Sequence, residues 1–299
     1  VPLLKDRLLI TGGTGFIGSA LVRNAVAQNF EVALIQRDSK KIEGLFADVD
    51  STMPVYPASS DGVAQAVVDF QPSSIIHLAT CYGRGGESTD EIFSVNYDLP
   101  LRLVEKAIEN NAQRFLNADT FFVPSLGLPT GLKAYVESKK EFLARAAMLT
   151  KKSETKFMNL KIFQAYGEGD RDDKFLPSLV KKLNESESID LTSGQQMRDF
   201  IYVTDVASAF LRLCRFPPRI HQEMNFEVGT GVATSIRDVT IALKEMLGSK
   251  TKLNFGALPY RENEIMKSTA DVESLISSGW KPKVSIEQGL EAMLASMKK

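Results

Sequence analysis

Along the first half of this chain, short apolar runs alternate with stretches whose apolar positions recur at helical spacing. Leu8-Leu9-Ile10 suits a buried strand, and Ala20, Leu21, Ala25 and Val26 mark one face of the helix that follows. Glu31-Val32-Ala33-Leu34-Ile35 predicts a second strand. Ser74-Ile75-Ile76-His77-Leu78-Ala79 is the next clear one, and Arg114-Phe115-Leu116-Asn117-Ala118-Asp119-Thr120 another. Helices are expected around Phe93 to Glu109 and from Tyr135 through Phe142, Leu143, Ala146 and Ala147. Strands and helices alternating in this way predict an α/β fold with a doubly wound parallel sheet. His77 sits inside an apolar run, so it is expected to be a packed strand residue and not a base.

Between the first strand and the first helix stands Thr11-Gly12-Gly13-Thr14-Gly15-Phe16-Ile17-Gly18, with Gly12, Gly15 and Gly18 three apart. A glycine-rich turn from strand to helix sets bare backbone N–H groups and the positive helix end against a phosphate. Gly12, Thr14, Gly15, Phe16, Ile17 and Gly18 are therefore the expected dinucleotide-binding residues. Leu78 and Ala79, at the end of the third clear strand, should pass beneath the adenine and its ribose. The end of the second strand bears on the choice of cofactor. An NAD-preferring fold carries an acidic residue there for the ribose 2′-hydroxyl; this chain has Gln36 and Arg37, with Lys40 and Lys41 close behind. A carboxylate would repel a 2′-phosphate, whereas a guanidinium holds it with two hydrogen bonds, so the expected cofactor is NADP(H).

Composition narrows the partners. At 299 residues the chain can bury a large core, and 43% hydrophobic and 24% charged residues are ordinary for a globular protein. A net charge of −1 argues against a polyanion-binding surface, so no nucleic-acid partner is expected. No apolar run approaches the length of a membrane span. Cys81 and Cys214 form no CxxC pair and histidines are few, so neither a disulfide framework nor a metal site is indicated. The expected compartment is a reducing cytoplasm.

Tyr135 and Lys139 stand four apart, on one face of their helix. A free phenol has a pKa near 10; an adjacent ammonium and a nearby oxidised nicotinamide are expected to favour the phenolate. With this pair downstream of the glycine turn, the chain resembles the extended, nucleotide-sugar branch of the short-chain dehydrogenase/reductase family. The fold implied is a Rossmann domain over residues 1–166, to which 198–215 returns, and a smaller, discontinuous substrate-binding domain over 167–299. In that family a Ser or Thr before the YxxxK pair hydrogen-bonds the substrate oxygen, and Thr120 matches it. The resemblance places Asn96 and Phe163 on the cofactor side, with Gln164 where the family often has asparagine. Tyr166-Gly167-Glu168-Gly169-Asp170, Arg198-Asp199-Phe200-Ile201-Tyr202-Val203 and Arg261-Glu262-Asn263 follow in family order. Arg198 and Arg261 are the implied contacts to a substrate diphosphate. If Arg198 instead has a structural ion-pair role, the adjoining Asp199 is the expected partner.

Within the branch the chain is similar to the CDP-3,6-dideoxyhexose C4-reductases. Cys81-Tyr82-Gly83-Arg84, Asp172-Asp173-Lys174-Phe175, Leu191-Thr192-Ser193-Gly194, Asn263-Glu264-Ile265-Met266 and Gly279-Trp280-Lys281 carry that likeness. It implies Tyr82, Thr120, Gln164, Phe175, Arg198 and Arg261 as substrate-binding residues, and Thr120, Tyr135 and Lys139 as catalytic ones. The implied protein is a cytoplasmic homodimer that uses NADPH to reduce a CDP-4-keto-deoxy sugar for surface-polysaccharide synthesis. The alternative is a nucleotide-sugar 4-epimerase that retains NAD. Phe121-Phe122 stand where 4,6-dehydratases carry an Asp-Glu pair, which speaks against water elimination.

Overall fold

The computed structural model describes residues 6–37, 42, 45–46, 49, 52–121, 132–215 and 225–298; Lys40, Lys41 and Phe122 lie outside the described residues. The chain runs through Arg7–Thr11 (β1), Phe16–Ala27 (α1), Glu31–Gln36 (β2), Val55–Pro57 (β3), Ser60–Phe70 (α2) and Ser74–His77 (β4). Thr89–Phe93 (α3) leads into a π-helical turn at Ser94–Asp98, then Leu99–Glu109 (α4), Arg114–Thr120 (β5), Lys133–Thr150 (α5) and Lys156–Ile162 (β6). There follow Gln164–Tyr166 (β7), Phe175–Glu185 (α6), Ser188–Leu191 (β8), Met197–Arg198 (β9), Phe200–Tyr202 (β10) and Val203–Cys214 (α7). Asn225–Val228 (β11), Thr234–Ser235 (β12), Ile236–Leu247 (α8), Lys252–Phe255 (β13), Lys267–Ser268 (β14), Glu273–Ser277 (α9) and Ile286–Ser296 (α10) complete it.

The main sheet has the order β11-β6-β5-β4-β1-β2-β3. β1 is parallel to both β2 and β4, with Thr11 opposite Ile35 on one side and His77 on the other. Strand order therefore reverses between β1 and β4, and in open α/β sheets that switch point is where ligands bind, beyond the carboxyl ends. The doubly wound α/β sheet expected from the sequence is present. Its apolar strands are buried because helices cover them: Val63, Ala66 and Val67 of α2, Leu103, Val104 and Ala107 of α4, and Phe142 and Ala146 of α5 pack with Leu9, Ala33, Ile35, Ile75, Phe115 and Phe157. Phe115, Phe142 and Phe157 form a trio with ring centroids 5.9–6.2 Å apart. Burying each such ring is worth about 1.5–3 kcal/mol, which fixes α5 firmly against the sheet.

The chain divides into two compact units, one of Val1–Lys161 with Ala207–Phe226, the other of Ile162–Val206 with Glu227–Lys299. The first segment thus ends at Lys161, earlier than the expected 166, and the return starts at Ala207, within α7, later than the expected Arg198. The reason is strand pairing: β10 runs parallel to β7, Phe200 opposite Gln164 and Tyr202 opposite Tyr166, which keeps both strands in the second unit. That unit is organised around buried Asp199. Its carboxylate accepts from the N–H groups of Thr230 (2.8 Å), Gly231 (2.9 Å) and Ala270 (3.1 Å) and from the Thr230 hydroxyl (2.7 Å).

Candidate active site

The glycine turn has no room for a side chain at Gly12 or Gly18. Gly12 takes φ +70°, and a Cβ there would lie 2.6 Å from the Ala79 nitrogen; one on Gly18 would lie 2.0 Å from the Gly12 oxygen. Gly15 closes the turn by donating its N–H to Gly12 O at 3.0 Å. Like α4, α5 and α6, α1 has neither a capping side chain nor an acidic residue in its first turn, and it alone of these four follows the glycine turn. Its first N–H groups and positive end are thus left for an anion, as a dinucleotide diphosphate requires. Leu78 and Ala79 border the turn on the β4 side. At the end of β2, Gln36 does more than stand where a carboxylate is missing. With its amide oriented to meet donors, its oxygen accepts from the N–H groups of Gly13 and Thr14, both at 3.3 Å. Arg37 beside it is exposed.

His77 is a packed strand residue, 1% exposed, with Nδ1 2.8 Å from the Thr11 hydroxyl, which also accepts the Ala79 N–H at 3.3 Å. This network ties the ends of β1 and β4 together under the glycine turn. Burial, with the nearby Lys139 ammonium adding to it, pulls the His77 pKa down to about 3. Because the folded value lies below the ordinary 6.5, the protonated form is favoured in the unfolded chain. Stability is complete above pH 6.5 and falls as pH drops toward 3, at about 1.4 kcal/mol per unit from this one group. Thermal melts of wild type and His77→Gln from pH 7 to 5 check this. The wild-type melting temperature should fall more steeply; parallel curves would remove His77 from the acid sensitivity.

The sequence pair on α5 is assembled with Thr120. The Thr120 side chain hydrogen-bonds the buried Tyr135 phenol. Lys139 Nζ lies 5.7 Å from the centre of the Tyr135 ring and donates to Ala118 O at 2.9 Å. The expected phenolate counts on both the ammonium and an oxidised nicotinamide; the chain's own groups act in the other direction. Burial pushes Tyr135 well above its ordinary value; Tyr82 and Asp119 push the same way, against the Thr120 hydrogen bond and the Arg84 cation. Burial likewise lowers Lys139, opposed by Asp119. By itself, then, the protein holds Tyr135 in its acid form.

Asn96, in the π-helical turn, is 2% exposed and fully engaged. Its Oδ1 accepts the Cys81 N–H (2.9 Å), and its Nδ2 donates to Cys81 O (2.8 Å) and to Ser138 Oγ (3.2 Å). It thereby clamps the loop after β4 to the helix that carries Tyr135, and π turns recur at such sites because they re-aim one side chain. The clamped loop lays the Tyr82 ring on Tyr135, centroids 4.9 Å apart at 34°. Asp119, which the sequence reading did not single out, is steadied by an amide ladder: Asn117 Nδ2 donates to Asn159 Oδ1 at 2.8 Å, and Asn159 Nδ2 to Asp119 Oδ2 at 3.0 Å. Period-two strand polarity hides these residues, since a buried amide pair and a surface pair look the same in sequence.

The second unit carries the remaining candidates. Phe163 is buried and Gln164 opens β7; Phe175 is the first residue of α6. Arg198 Nη2 donates to Glu264 Oε1 at 2.7 Å, and both side chains are largely buried. The ion-pair partner is thus Glu264 and not the adjoining Asp199, whose oxygens are taken by Thr230, Gly231 and Ala270. Arg261 is exposed, and its carbonyl accepts the Glu264 N–H at 3.1 Å.

A glycine turn at the switch point of a doubly wound sheet is where such folds bind a dinucleotide, and the same unit carries Thr120, Tyr135 and Lys139. Residues 8–229 match the model of the NAD dependent epimerase/dehydratase family, and the chain belongs to that family. It is similar to the CDP-abequose synthase of Salmonella typhimurium, 32% identical over 98% of this chain and 99% of that protein. The CDP-abequose synthase of Salmonella muenchen is 30% identical over 98% of each. Among solved structures, the Thermotoga maritima UDP-glucose 4-epimerase with UDP-glucose superposes with a TM-score of 0.80 at 22% identity, over 98% of both chains. That likeness concerns the fold. No helix among the described residues is long and apolar enough to cross a membrane.

Proposed function

We propose that this protein is an NADPH-dependent C4 ketoreductase of a CDP-4-keto-deoxy sugar, a 3,6-dideoxyhexose or a related 6-deoxyheptose. Its setting is surface-polysaccharide precursor synthesis, as a cytoplasmic homodimer. The observation that supports the reading is the set built on α5 and β5: buried Tyr135 hydrogen-bonded to Thr120, with Lys139 one turn on. A 4-epimerase would use the same residues; Arg37, in place of an acidic end to β2, speaks against the NAD it would retain. Phe121 stands where 4,6-dehydratases carry a carboxylate, which speaks against elimination. The two Salmonella relatives supply the nucleotide and sugar class.

When bound, a reduced nicotinamide supplies the hydride to C4. Tyr135 gives its proton to the C4 oxygen, and Thr120 donates a hydrogen bond to the oxyanion as it forms. Lys139 holds the nicotinamide ribose and offsets the charge left on Tyr135. The Gly12–Gly18 turn, with Thr14, Phe16, Ile17, Leu78 and Ala79, holds the dinucleotide, and Asn96 and Phe163 complete that side. By their family positions, Tyr82, Gln164, Phe175 and Arg261 would bind the sugar nucleotide; Arg198 would contact the diphosphate while sharing its guanidinium with Glu264.

The test is NADPH consumption against a panel of CDP-4-keto sugars, with NMR of the product. Protein that arrives with bound NAD and interconverts 4-hydroxyl configurations without consuming reductant would replace this reading with the 4-epimerase. Cofactor choice has its own check in Arg37. A charge-assisted hydrogen bond is worth about 1.5–3 kcal/mol, so Arg37→Ala should cut the preference for NADPH over NADH about tenfold to a hundredfold. NADH affinity should barely move, because that cofactor has no 2′-phosphate. Equal wild-type affinities in a competitive binding assay would sink the NADP assignment.

A further inference from the structure

The loop after β4 carries more than a substrate-side tyrosine. Gly83 at φ +72° and Gly86 at φ +91° fold it into a tight bend, and the Gly85 N–H is held by Glu87 at 2.8 Å. The bend sets the Arg84 guanidinium over the Tyr82 ring, 5.7 Å from its centroid, and Tyr82 in turn lies on Tyr135. Lys139 Nζ lies 5.7 Å from the Tyr135 ring centre. Two rings and two cations are thus gathered in a chain of contacts, all within the first unit. Among the described residues no carboxylate forms an ion pair with Arg84.

We infer that Arg84, carried on the Gly83–Gly86 bend and stacked through Tyr82, is the second cation of the active site and stabilises the charge left on Tyr135 when it gives up its proton. The inference rests on the reading of Tyr135 as proton donor. In that step the Tyr135 O–H bond breaks, the proton bonds to the substrate oxygen, and the electron pair stays on the phenol oxygen. The groups that act on that phenol are Tyr82 and Arg84 from the loop and Asp119 and Thr120 from β5; Lys139 from α5 lies 5.7 Å from its ring centre, and α3 presents apolar Ile92 to the same cluster. Burial, Tyr82 and Asp119 oppose the phenolate, and Arg84 works against them. Lys139 lies buried on the inner side, whereas Arg84 approaches from solvent, where Tyr82 is 36% exposed. The cation–π contact with Tyr82 keeps that exposed guanidinium in place. Arg84 acts through Tyr135 and is a positioning residue.

The test is the acidity of Tyr135 in protein saturated with NADP+ or, separately, NAD+. It is read as the near-ultraviolet tyrosinate signal that disappears in Tyr135→Phe. Arg84→Met should move that titration to higher pH by about one unit, tenfold in the proton equilibrium. Arg84→Lys should stay near wild type. Added KCl should narrow the gap between wild type and Arg84→Met, because salt screens an exposed charge. Superimposable titrations for wild type and Arg84→Met overturn the inference, as does a shift in Arg84→Lys equal to that in Arg84→Met. Failure of the reductase reading would show elsewhere, as no NADPH oxidation by wild type with any CDP-4-keto sugar, and would leave the titration comparison intact.

Discussion

Tyr135→Phe is expected to lower turnover by a factor of about 10² or more while cofactor affinity stays close to wild type. The phenyl ring fills the same buried space against Tyr82, so packing is kept and only the hydroxyl is lost. General-acid catalysis contributes about 10²–10⁴-fold, roughly 3 to 5 kcal/mol of barrier. The Thr120 hydroxyl would lose its phenol partner but would still face the carbonyl oxygen, so a residual rate above background should remain. Single-turnover oxidation of bound NADPH with saturating ketone separates this from a binding defect. Turnover within a few-fold of wild type would remove Tyr135 from the mechanism, and a matching rise in KM would recast it as a substrate contact.

What the sequence yields of this fold is what periodicity and punctuation encode. Three registered glycines, four apolar strand segments and a tyrosine–lysine pair one helical turn apart mark the dinucleotide half with little ambiguity, because each is a local pattern. The partner of Arg198 is not local. Asp199 adjoins it in sequence, yet strand geometry points successive side chains to opposite faces, so Arg198 turns to Glu264 while Asp199 turns to Thr230 and Ala270. The place where the chain returns to the first unit was hidden for the same reason, since the pairing of β10 with β7 is a long-range contact. The state of Tyr135 also needed three dimensions. The sequence shows the nearby lysine, but not the burial, the Tyr82 ring and the Asp119 carboxylate that raise the phenol. Asn96 is a last case: its bonds to Cys81 O and Ser138 Oγ, which clamp the loop after β4 to α5, join residues far apart in sequence and leave no local pattern.

Gly18→Ala is expected to abolish tight dinucleotide binding, with affinity falling by about 10² or more, and to lower the melting temperature. Gly18 lies in the first turn of α1, where alanine is favoured over glycine by propensity alone, so a local argument predicts stabilisation. The turn decides otherwise. The added Cβ would fall 2.0 Å from the Gly12 oxygen and 2.8 Å from the Gly13 Cα, both backbone atoms that cannot rotate away. Relief requires α1 to move away from the turn, and overpacking of that kind costs about 1–3 kcal/mol. The movement also displaces the N–H groups that face the diphosphate, and hydrogen bonds to an anion weaken steeply once their geometry is lost. Gly15→Ala is the graded companion. Its φ of −79° suits any residue, and its Cβ would sit 3.2 Å from the same oxygen, so a few tenths of an ångström of adjustment suffice. Cofactor dissociation constants and melting curves for wild type, Gly15→Ala and Gly18→Ala should therefore rank in that order. Wild-type binding by Gly18→Ala would mean that the diphosphate does not rest on this turn.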